Sequence, residues 1–145
     1  MNFDDKINKG ISLFENIDKI LFEITNQKET QDFLIESLQD QLFTTGEDGD
    51  GVSLGDYSPI TIKIKQRKGQ PTDRITLKDT GAFYRSYSIN PFEGGFFIDA
   101  NGKKNNTDLF LRYGDNILKP NQETLILISD FYKKKLYEYF INIFK

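Results

Sequence analysis

The residues of this chain that could do chemistry are few in kind. It contains no His and no Cys. That removes imidazole acid–base catalysis, thiol chemistry, disulfides and Cys/His zinc sites together. Carboxylates, serines and lysines remain. Asp48, Asp50 and Asp56 sit in G-E-D-G-D-G-V-S-L-G-D, residues 46–56, a stretch with four Gly and four acids. Metal or acid–base work needs rigidly placed groups, and this composition predicts a mobile, negative loop. Aligned as a calcium loop with Gly51 as the required glycine, Asp48 and Asp50 fall correctly, but Gly46 and Tyr57 stand where the end ligands belong, so it is not an EF-hand. Ser58 and Ser86 stand near Lys65 in the order of motifs, yet no strained nucleophile turn accompanies them. The Lys68-Gly69-Gln70 turn lacks the spacing of a phosphate-binding loop. The expectation is therefore no catalytic residue, no cofactor and no metal site. A carboxylate–metal enzyme stands as the third reading.

A second chemistry is phosphate binding. Residues 59–66, P-I-T-I-K-I-K-Q, alternate in type, which predicts a strand with Ile60, Ile62 and Ile64 on one side and Thr61, Lys63 and Lys65 on the other. Lys63, Lys65, Arg67 and Lys68 then form a basic stripe, facing solvent, a neighbour or passing nucleic acid. Basic strands also blunt exposed sheet edges. The net charge of −3 argues against a dedicated DNA binder. A small nucleic-acid-binding or regulatory module using this stripe is the alternative reading. Charge is unevenly spread. Residues 1–56 carry 13 Asp+Glu against 4 Lys+Arg, and residues 57–145 carry 15 Lys+Arg against 9 Asp+Glu. Such a polar molecule can attract copies of itself head to tail.

The elements that must position these groups can be read from periodicity. Residues 3–25 predict an amphipathic helix with Ile7, Ile11, Phe14, Ile17, Leu21 and Ile24 on its stripe. A second helix over about 29–43 is capped by Thr30 and stopped by Gly46. Arg74 to Ile89 begins strand-like at Ile75 and Leu77 and turns at Asp79-Thr80-Gly81, where Thr80 caps a short aromatic segment. Tyr87–Phe92 and 96–100 predict a hairpin, and residues 101–107 a polar loop. Residues 108–114 are open to helix or strand. Residues 122–144 predict a long helix with Leu125, Ile128, Tyr132, Leu136, Tyr139 and Ile143 on its face. The whole is expected to be one α+β domain over 1–145, with N-terminal helices and a long C-terminal helix packed on a small, mainly antiparallel sheet. Its parts are a helical segment 1–45, the flexible acidic loop 46–56, a sheet-rich part 57–119 and the helix 120–145. No stretch approaches a membrane span, and the acidic N-terminus is unlike a signal peptide, so a cytoplasmic origin is expected.

One order of residues reaches further. Leu54, Tyr57, Ser58, Thr61 and Lys65 form L-x-x-Y-S-x-x-T-x-x-x-K, and Leu77, Thr80, Gly81, Phe83 and Ser86 form L-x-x-T-G-x-F-x-x-S. This order resembles the virion-morphogenesis or tail-completion family of tailed bacteriophages, although no Trp follows the acidic loop. The resemblance implies a non-catalytic structural protein of the virion, at the head–tail junction or neck or as a tail-completion or terminator component. It also implies a homo-oligomeric ring, six copies being the family-type number, with other neck and tail proteins as partners. Contact with passing DNA would be independent of sequence. Residues 46–56 and 101–107 would reach neighbours and become ordered on assembly.

Overall fold

A computed structural model describes residues 1–145. The expected first helix is two. α1 runs Phe3–Glu15 and α2 runs Ile17–Asn26, with Asn16 between them at φ −111°, ψ 17°. A reciprocal capping box opens α1: the Asn2 side chain accepts from the Asp5 amide, and the Asp5 carboxylate accepts from the Asn2 amide. α3, Lys28–Thr45, follows after Gln27 and ends at Gly46, whose φ of 62° is the left-handed stop that glycine supplies.

α3 is the spine. Leu38 and Leu42 on its C-terminal half pack with Phe83, Tyr84, Tyr87, Ala100, Leu109 and Ile117. Leu34, one turn earlier, packs with Ile89 and Ile128. The antiparallel hairpin of β1 (Ser88–Phe92) and β2 (Gly95–Asp99) lies against α2 and α3, in the register Ile89↔Ile98. α7, Gln122–Phe144, is capped by Asn121 and runs along α2 and α3. Phe33 and Phe131 stack there at 4.1 Å, and the Thr25 and Tyr132 hydroxyls meet at 2.6 Å. The fold is α+β with a long C-terminal helix, as the periodicity predicted. No helix is long and apolar enough to cross a membrane.

Three expectations are corrected. Residues 59–66 are not a strand: α4 spans Pro59–Arg67. Ser58 caps it by accepting from the Thr61 amide at 3.2 Å, and Pro59 occupies the first turn, where its missing N–H costs nothing. Ile60 and Ile64 therefore share an outer face and are exposed, while Thr61 and Lys65 turn inward. The part 57–119 is not sheet-rich. It holds α4, α5 (Ala82–Arg85), the β1–β2 hairpin, a two-residue pairing of β3 (Lys103–Lys104) with β4 (Thr107–Asp108), α6 (Leu109–Tyr113) and a 3-10 turn, Asp115–Leu118. Ile75 and Leu77 belong to no strand, and Leu77 has φ 56°.

The face expected of α7 turns inward along most of its length: Ile128 is buried and Tyr132, Leu136, Tyr139 and Ile143 are half-buried, whereas Leu125, with Ile126 and Leu127 beside it, is exposed. The acidic loop is tied down. The Asp48 carboxylate accepts from the Asp50 and Val52 amides, Glu47 bridges Ser53, and Asp50 binds Asn116 and Lys119. Gly49 donates its amide to the Asn116 carbonyl at 2.9 Å, so close to Lys119 that a Cβ would stand 2.3 Å from the Lys119 carbonyl.

Candidate functional site

The irregular stretch 74–80 decides the local architecture. Thr76 is fully buried yet belongs to no ladder. Its amide donates to the Tyr57 hydroxyl at 3.0 Å, and its carbonyl accepts from the Tyr84 hydroxyl at 2.6 Å. Two phenols thus do for this backbone what a neighbouring strand would have done. Burial raises the Tyr84 phenol pKa well above its ordinary value, with the nearby Tyr87 and Tyr57 adding to the effect. Gly81, at φ 81°, takes the N-cap position of α5 that was expected of Thr80. Thr80 instead accepts from the Ala82 amide through its hydroxyl.

Above this frame lies a cleft of about 440 Å³. Tyr57, Thr61 and Lys65 form one wall, and Leu77, Thr80, Gly81, Phe83 and Ser86 another. The two halves of the sequence motif are therefore brought face to face. The other two motif residues support them: Leu54 packs against the main core, and Ser58 starts α4. A third wall comes from Asn101–Asn105 with Arg112 and Tyr113. From the sequence, residues 101–107 are expected only as a loop that reaches neighbours, and Asp79, Arg112 and Tyr113 carry no expected site role. The Lys103-Lys104 pair after an Asn-Gly turn was the available signal.

The basic stripe is divided: Lys63, Arg67 and Lys68 are exposed and Lys65 is not. Lys65 is buried, and its ammonium donates to the Lys78 carbonyl at 3.1 Å and to the Gln70 amide oxygen at 3.2 Å, with the Tyr57 ring 4.8 Å away. Its charge has no carboxylate partner among these contacts. Lys68 pairs with Asp79 at 2.6 Å. Lys63 and Arg67 stay exposed, four residues apart on the outer side of α4. Asp79 also binds Lys104 at 2.5 Å. The hydrogen bond from Lys104, followed by the one from Lys68, lowers the Asp79 carboxyl to about 2. Lysines at 65, 68, 78, 103 and 104, with Arg112, face the cleft against this single carboxylate.

The serines and carboxylates singled out in the sequence are engaged in holding the fold. Ser86 donates to the Phe83 carbonyl at 2.6 Å and accepts from the Asn101 amide at 2.8 Å. Ser58 serves α4. Asp48 and Asp50 are used within their loop, and no three carboxylates converge anywhere. The floor is apolar and the rim cationic, an arrangement suited to holding an apolar side chain flanked by carboxylates. Set against family profiles, characterised proteins and solved structures, the chain has no significant match in any of them.

Proposed function

We propose that this protein is a non-catalytic structural component of a tailed-phage virion, acting at the head–tail junction or as a tail-completion or terminator piece within a homo-oligomeric ring. The observation that carries the reading is the convergence of the ten motif residues. Spread over Leu54 to Ser86, eight of them line one cleft and the other two, Leu54 and Ser58, support it, which favours a contact surface. The unequal charge of the two halves of the chain supports association of copies head to tail. Contact with passing DNA falls to Lys63 and Arg67, the members of the stripe that are exposed and outside any ion pair, and needs no sequence preference.

Mass spectrometry of purified particles tests the place in the virion, and light scattering after size exclusion tests the assembly. The protein is expected in particles at ring stoichiometry. Its absence from them overturns the reading. The nucleic-acid module makes the opposite forecast: tight duplex binding that weakens steeply with salt and is lost on Lys63→Glu with Arg67→Glu.

A further inference from the structure

The apolar stripe shared by α1 and α2 does not end where its cover ends. On α2, Ile20 and Ile24 are buried, Ile24 being 1% exposed. On α1 the same stripe continues through Ile11, Ile7 and Phe3, with Phe14 83% and Phe3 75% exposed, and no residue of α1 is buried. A helix of this length is marginal in water without packing on an apolar face. Asp4 and Glu15, eleven residues apart, fall about 20° from each other around the helix at 100° per residue and line one edge of the stripe, Glu15 directly beside Phe14, while Lys6 flanks the other edge and Lys9 lies behind. Elsewhere on the molecule lies the cleft, with the apolar floor of Leu77, Phe83 and Leu109 and the cationic rim of Lys103, Lys104 and Arg112. It has the complementary character: room for an aromatic side chain, beside positive charge.

We propose that α1 of one copy seats in the cleft of a second copy, Phe14 entering over Leu77 and Phe83 while Asp4 and Glu15 meet the rim. The occupant is another copy because the apolar stripe that lacks a cover, edged on one side by Asp4 and Glu15, and the cationic cavity that lacks an occupant lie on one chain. The contact is heterologous, so each copy gives one helix and receives one. This deepens the ring reading above by naming the contact that joins its members.

Mixing separates this from other modes of association. Phe14→Asp spoils the helix and leaves the cleft, whereas Lys103→Glu with Arg112→Glu spoils the cleft and leaves the helix. All three residues are exposed, and circular dichroism melts verify folding. By light scattering and sedimentation, wild type is expected to associate, and each variant alone to lose at least about tenfold in affinity. An equal mixture of the two variants is expected to form a heterodimer and stop there, since one intact helix meets one intact cleft. The chain has no cysteine, so Phe14→Cys with Lys103→Cys gives an unambiguous oxidative cross-link, expected between chains. Four results overturn the proposal: a monomeric wild type, either variant associating like wild type, a mixture that stays monomeric, or a cross-link within one chain. If the variants still assemble while the protein is found in particles, the inference falls and the functional reading stands. If the mixture pairs but particles lack the protein, the reverse holds.

Discussion

The hydroxyl of Tyr84 donates to the carbonyl of Thr76 at 2.6 Å, while the hydroxyl of Tyr87, three residues along the chain in the same core, has no partner. Both rings are buried, yet only the first phenol is used. Removing one hydroxyl should therefore differ sharply from removing the other. Tyr84→Phe orphans a buried carbonyl and is expected to lower unfolding free energy by about 1–3 kcal/mol. Tyr87→Phe removes an unsatisfied group and is expected to leave stability unchanged or raised. Urea denaturation of the two variants makes the comparison.

Lys63 and Lys65 look alike in sequence and differ in fate. Lys63→Glu alters an exposed position and should change stability by no more than about 0.5 kcal/mol. Lys65→Glu sets a carboxylate against the Lys78 carbonyl and the Gln70 amide oxygen in a buried site. A loss of about 3 kcal/mol or more is expected, because an uncompensated charge is left in place of a bonded one. Thermal melts of both variants test this. Equal effects would place Lys65 in solvent.

Acid should act through Asp79. Its folded-state pKa of about 2 lies below the unfolded value near 3.8, so the pairing with Lys104 and Lys68 stabilises the fold fully above the unfolded value. That contribution fades as pH falls from about 4 towards 2. Asp79→Asn should flatten this part of the acid limb, and added salt should weaken the wild-type effect, since the pair is partly exposed. Urea midpoints between pH 2 and 6 measure it. An unchanged slope in Asp79→Asn would assign the acid limb to other groups.

Gly49 holds the acidic loop against the 3-10 turn. A methyl there would stand 2.3 Å from the Lys119 carbonyl, so Gly49→Ala should destabilise by about 1–3 kcal/mol. Gly10, with open space around its Cα in α1, is the control: Gly10→Ala should increase helical ellipticity. Both effects are read by circular dichroism.

Much of the helical frame was legible because long stripes and end signals agree. Gly46 stops α3 as expected, and α7 spans Gln122–Phe144, the stretch predicted for it. The hairpin of Ser88–Asp99 was legible from its Gly94-Gly95 turn. α4 was not legible because Ile60, Ile62 and Ile64 alternate as in a strand while Ile60 and Ile64 also keep a four-residue spacing, and only Ser58-Pro59, a helix start, separates the two. The strand expected at Ile75 and Leu77 failed for a reason outside the segment: Tyr57 and Tyr84 supply its hydrogen bonds from elsewhere. The motif residues were found, but their meeting across a cleft was not, since its third wall comes from residues 101–113 and depends on how α6 packs. Nor does any local pattern announce that Lys65 points inward.

Because no residue of α1 is fully buried, unwinding Met1 to Glu15 breaks hydrogen bonds internal to that helix and its caps and costs little packing. Amide exchange in a lone copy should thus divide the polypeptide in two, with the first fifteen residues trading deuterium early and the Leu34–Leu42 turns of α3 late. Substituting Asn2 or Asp5, whose mutual grip is the only cap at that end, would hasten the early class and leave the late one untouched.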